Sequence, residues 1–155
     1  MASSSGKLAF AIIKAGFIAG TLDICIAFLQ YYLKTGKEPA NVLRFIAGGV
    51  FGNQAFSGGA AMAGAGLVFH YMIAFSWTII FFLLYPRIAL MRKNIMITAF
   101  AFGVLVWCFM NLLVLPLSAL PSLHADLKQS ITALLILVVA IGFPLSFFAK
   151  KYYRI

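Results

Sequence analysis

Residues 8–33 read LAFAIIKAGFIAGTLDICIAFLQYYL. The stretch is long enough to cross a bilayer, which takes about 20 apolar residues in a helix. It holds one lysine near its start and one aspartate, Asp23, near its middle. Tyr31 and Tyr32 sit where an interfacial aromatic anchor belongs. Lys34, Lys37 and Glu38 then mark an aqueous exit, and Pro39 breaks the chain. Lys7 and Lys14 resemble the basic start of a signal peptide. The apolar run is too long for that and ends without a small-residue cleavage site, so a retained span is expected. Neither terminus carries a lipidation motif.

The remaining sequence extends the same reading. Of 155 residues, 64% are hydrophobic and only 10% are charged. The mean hydropathy is +1.05. Soluble domains are about 45–50% apolar and about 25% charged, so a soluble or a disordered chain is excluded. Further spans are expected at about 66–85, 95–115 and 127–148. Pro86 closes the second, Pro116 and Pro121 lie after the third, and Pro144 should kink the fourth. The expected fold is all-α, a single transmembrane domain of four helices over residues 1–155.

Residues 41–65 fit neither a span nor a polar loop. Asn41 is placed to cap a short interfacial helix over about 42–50. Gly48-Gly49 and Phe51-Gly52-Asn53-Gln54-Ala55-Phe56-Ser57-Gly58-Gly59 follow. Apolar segments of this length read as interfacial or re-entrant, so a partly re-entrant Gly-rich loop is expected between the first two spans. No carbonyl-filter sequence of the potassium-channel kind is present.

Charge sets the expected orientation. Four spans place both termini on one side. Lys7, Lys14, Arg87, Arg92, Lys93, Lys150, Lys151 and Arg154 fall on that side; Lys34, Lys37, Arg44 and Lys128 fall on the other. The excess puts both termini in the cytoplasm. The net charge of +9 is then a matter of flanking lysines and arginines at lipid headgroups. No nucleic-acid partner is expected.

Asp23 is the only acidic residue inside an expected span. A carboxylate at mid-helix costs roughly 2.5–3.5 kcal/mol on insertion scales, so it marks a candidate functional site. On a helical wheel Gly16, Ala19, Gly20, Asp23, Ala27 and Gln30 share one face, with Lys14 and Cys25 opposite. Gly16 and Gly20 form a GxxxG pair that permits close helix packing, so this face should meet protein. Two readings stand for Asp23: a proton- or cation-binding group, or a protonated acid that ties helices together.

His70 lies near the start of the second span, with Ala74, Trp77 and Phe81 on its face. It reads as a proton relay or partner of Asp23, or as a histidine bonded to a loop carbonyl. Asn111 lies near the same end of the third span, and Asn53, Gln54 and Ser57 lie in the loop. Asp23, His70, Asn111, Asn53 and Gln54 are therefore candidates to line one polar pocket. His124, beside Asp126, reads as solvated or as a cap of the fourth span. The two cysteines, Cys25 and Cys108, lie in apolar runs without metal-ligand spacing. No nucleotide loop, catalytic triad order or paired carboxylates are visible. Neither enzymatic activity nor a cofactor or metal is expected.

Gly20-Thr21-Leu22-Asp23, Phe51-Gly52-Asn53-Gln54-Ala55-Phe56-Ser57-Gly58-Gly59, Gly66-Leu67-Val68-Phe69-His70 and Met110-Asn111-Leu112-Leu113-Val114-Leu115-Pro116-Leu117-Ser118 together resemble a bacterial inner-membrane family of small four-helix proteins, similar to the YagU-like group. The resemblance implies a bacterial four-span protein of the cytoplasmic membrane and no particular activity. Two functions follow as expectations. One is a small transporter or channel for a proton, cation or small solute, acting as a homo-oligomer because one bundle has little room for a pathway. The other is a non-catalytic subunit or scaffold of a larger membrane complex.

Overall fold

The structure, a computed structural model, describes residues 4–120 and 127–153. These residues are helical, with no strand among them. The long helices are α1 (Ser4–Thr35), α3 (Gly59–Leu84), α5 (Ile95–Leu117) and α6 (Leu127–Tyr153). All four are long and apolar enough to cross a membrane. Two short helices complete the set: α2 (Ala40–Phe51) between α1 and α3, and α4 (Ala89–Lys93) before α5. The chain is an all-α, four-helix, multi-pass membrane protein.

The outer surface has the character a bilayer demands. Phe10, Val68, Met72, Leu112, Val139 and Phe147 all point outward and are more than half exposed. Lipid gives no hydrophobic drive for helices to associate, so close packing must hold them. The core supplies it with interlocked aromatic rings. Phe81 meets Phe102 edge-to-face at 4.7 Å, and Trp77 meets Phe102 at 5.8 Å. Small residues let the backbones approach: a Cβ built on Gly142 of α6 would lie 2.2 Å from the Ala99 carbonyl oxygen of α5. At the end bearing both termini, Tyr153 Oη donates to the Phe82 carbonyl at 2.9 Å and stacks on Tyr85.

Helix ends follow local chemistry. Asn94 Oδ1 accepts from the Met96 and Ile97 amides and so fixes the start of α5. Both membrane prolines are carried within continuous helices. A π turn over Met110–Val114 precedes Pro116, and another over Val138–Gly142 precedes Pro144. Proline lacks an amide hydrogen and its ring crowds the carbonyl four residues back; a π turn at that place relieves both. Pro116 thus lies inside α5 rather than in a connection, and α6 runs to Tyr153, beyond the expected 148.

The segment between α1 and α3 differs most from expectation. Pro39, not Asn41, occupies the N-cap of α2. Asn41 lies inside the first turn, where its Oδ1 accepts from Arg44 at 2.7 Å. Arg44 also donates to Glu38 at 3.4 Å and to the Gly59 carbonyl at 3.4 Å, pinning α2 to the start of α3. Helix α3 begins at Gly59 rather than near 66, because the alanines among these glycines continue the helix. Helix α2 lies against its first turns. Gly66 receives the Leu43 backbone so closely that a Cβ there would sit 1.9 Å from the Leu43 oxygen. Phe51 reaches Phe69, with ring centroids 5.9 Å apart. Phe69 is about 15 Å of helix rise inward from Gly59. Gly52, at φ 60°, closes α2 in a conformation that costs only glycine little.

Candidate functional site

Helices α1 and α3 meet along the face that carries Gly16, Gly20 and Asp23. A Cβ on Gly16 would lie 2.6 Å from the Phe75 ring, and one on Gly20 would lie 3.1 Å from Tyr71. The bare face at Gly20 leaves its carbonyl open to α3. His70 Nε2–H donates to that oxygen at 2.8 Å. At the next residue of each helix, Thr21 Oγ1 and Tyr71 Oη share a hydrogen bond of 2.8 Å. The backbone carbonyl can only accept, so the His70 contact requires its proton on Nε2. In neutral imidazole Nδ1 is then a bare acceptor.

The Nδ1 side of the ring faces Asp23. His70 Nδ1 lies 4.0 Å from Asp23 Oδ2. The His70 side chain is 10% exposed and the Asp23 side chain 20%. The exposure of both opens into a cavity of about 220 Å³. Its walls are otherwise nearly all hydrocarbon. Phe45 and Ile46 of α2 close one side, Trp77 lies deeper on α3, and Val106 and Met110 come from α5. Leu137 and Ile141 of α6 complete the floor. The chain leaving α5 covers the top: the Ala119 amide donates to the Gly49 carbonyl at 2.9 Å, and Leu120 packs on Gly48.

The other residues expected in a polar pocket lie elsewhere. Asn111 is turned along its own helix, Nδ2 donating to the Trp107 carbonyl at 2.9 Å, and does not line the cavity. An amide one turn from a carbonyl finds its partner within the helix. Asn53 and Gln54 are exposed on the turn after α2. Ser57 bonds the Gln54 carbonyl there at 3.0 Å. His124 and Asp126 lie outside the described residues. Cys25 is exposed, Cys108 is half-buried, and neither is bonded to the other. No group of three or more His, Cys, Asp or Glu gathers among the described residues.

Helix α2 was not expected in the site. Its contribution follows from tertiary packing on Gly66, for which the sequence offers only a glycine among many. Trp77 carried a readable signal, since it stands two turns from His70 on the same face. The chain matches no protein-family model, no curated protein and no solved structure.

Proposed function

We propose that the protein is a small membrane transporter or channel that handles a proton, a cation or a small solute, with Asp23 as its binding carboxylate and His70 as its partner. One observation carries the reading: the Asp23 carboxyl group and the His70 Nδ1 face each other over 4.0 Å at the wall of a cavity otherwise lined almost wholly by hydrocarbon. Intramembrane acids that face a cavity and pair with a second titratable group are the usual parts of proton and ion pathways. The charge distribution supports cytoplasmic termini, and the resemblance supports the bacterial cytoplasmic membrane. A single bundle has little room for a complete pathway, so the working unit is a homo-oligomer.

A second reading has its own support. The His70–Gly20 and Thr21–Tyr71 bonds tie α1 to α3 whatever passes through the cavity. Polar groups used as ties in this way suit a non-catalytic subunit or scaffold.

Flux measurements separate the two. The purified protein is reconstituted in liposomes, and proton and monovalent-cation flux is measured for wild type beside Asp23→Asn. The transport reading expects flux in the wild type and background in a variant that stays folded and monodisperse. Background flux in both moves the assignment to the scaffold.

A further inference from the structure

The cavity has more structure than a proton site needs. We infer that it binds a small primary amine with an apolar body, the ammonium held between Asp23 Oδ2 and His70 Nδ1. The inference rests on the proposed function for its site and goes further in naming the ligand class.

The polar end defines the head group. Two acceptors 4.0 Å apart are matched by one nitrogen at about 2.8–2.9 Å from each, an ordinary hydrogen-bond length. A primary ammonium offers three N–H donors at near-tetrahedral angles, two for these acceptors. Because Nε2 is committed to the Gly20 carbonyl, Nδ1 is oriented to receive, not to donate. An anionic ligand therefore meets a carboxylate and a lone pair, and is rejected. A bare metal cation finds too few oxygens: beyond Asp23, His70 and the Met110 thioether the lining is aliphatic and aromatic, save for Ser118, whose hydroxyl donates to the Leu115 carbonyl.

The remaining space defines the body. A cavity of about 220 Å³ holds about seven water-sized groups, at about 30 Å³ of liquid volume each. Phe45, Trp77 and Met110 offer that body two aromatic surfaces and a thioether. Such mostly apolar pockets with a few convergent polar groups are the common form of small-molecule sites.

Charge balance then couples the ligand to a proton. Without ligand, one proton between Asp23 and His70 satisfies the facing acceptors and leaves the pair neutral overall. Binding R–NH₃⁺ supplies the donors instead, and that proton leaves: the site is neutral before and after. Among the described residues, the titratable groups facing this point are Asp23 from α1, and His70 and Tyr71 from α3, the Tyr71 hydroxyl being held by Thr21. No charged side chain of α2, α5 or α6 lines the cavity; Arg44 of α2 is bound to Glu38 and Asn41.

The test is calorimetric titration of the full chain in detergent with benzylamine, whose eight heavy atoms suit the volume. Benzyl alcohol keeps the body and loses the charge; benzyltrimethylammonium keeps the charge and loses the N–H donors. Benzylamine is expected to bind with release of about one proton, read by repeating the titration in buffers of different ionisation enthalpy. Losing charge-assisted hydrogen bonds should weaken the two analogues about 10- to 100-fold. Asp23→Asn should weaken benzylamine similarly. Val114 lines the cavity from α5; Val114→Phe, which fills that space and leaves both polar side chains in place, should abolish binding and guards against a misfolded Asp23 variant. Equal binding of either analogue, or no benzylamine binding by folded wild type, overturns the inference. Proton flux that depends on Asp23 in a protein that ignores benzylamine leaves the transport reading standing and removes only the amine. Benzylamine binding without flux does the reverse.

Discussion

Asp23 and His70 stand out by composition alone, since an acid and a histidine are costly within a span. Their pairing did not follow from composition. It depends on Gly20, whose missing side chain lets α3 come close enough for His70 to use a backbone carbonyl. Asn111 shows the opposite outcome: an equally polar residue at a comparable depth spends its amide on its own helix. The sequence marks which groups need a partner in hydrocarbon, while geometry alone assigns the partner. The same reasoning applies to Trp107. Among the described residues its indole nitrogen is the buried side-chain donor without a hydrogen bond. An unmade buried bond costs about 1–3 kcal/mol. Trp107→Phe removes the donor and keeps an aromatic ring, so it should raise stability by about 1 kcal/mol, net of lost packing area. Thermal unfolding of the detergent-solubilised protein checks this; a large fall in midpoint would show that the indole is held by something else.

The four long helices could be read from hydropathy, because each must satisfy its backbone internally and face lipid. Their ends were harder. Pro116 reads as lying past the end of the third span, yet a π turn absorbs it and α5 continues through it to Leu117. Helix α2 was expected as a short interfacial element. Its role as a wall of the cavity depends on tertiary packing, closest where the Leu43 backbone meets Gly66. That contact makes a sharp prediction. Gly66→Val places branched carbons where the Leu43 carbonyl lies, and helix backbone cannot yield as a side-chain tip can. Helix α2 should detach from α3 while the four long helices remain. Protease sensitivity or hydrogen exchange over 40–58 should rise, with the helical circular dichroism nearly unchanged. Gly142→Val is the contrasting case. Its clash is with the Ala99 carbonyl between α5 and α6, inside the bundle itself. It should cost more than the roughly 2–5 kcal/mol range of severe core changes can spare and should abolish monodisperse purification. If both variants behaved alike, α2 would be part of the bundle's cooperative core.

The bundle has two unlike ends, and this difference predicts how it should sit in a membrane. Both chain ends described here lie at one end, with Lys7, Arg87, Lys93, Lys150 and Lys151 exposed around them. The acids among the described residues are elsewhere: Glu38 is at the other end, bound to Arg44, and Asp23 is within α1. The cationic end has no carboxylate of its own among the described residues to offset it. Positive charge resists translocation and is attracted to anionic headgroups, at about 1 kcal/mol per residue near the surface. The end bearing α2 and the cavity cover should therefore face away from the cytoplasm. Single-cysteine labelling tests the orientation, on a background with Cys25→Ala and Cys108→Ala. Ser57→Cys, exposed on the turn after α2, should react with a membrane-impermeant maleimide added to intact bacterial spheroplasts. Lys151→Cys should react only after lysis. Reaction of Lys151→Cys in intact spheroplasts, with Ser57→Cys protected, would invert the molecule. The cavity would then open toward the cytoplasm, and any ligand of the Asp23–His70 pair would be gathered from inside the cell.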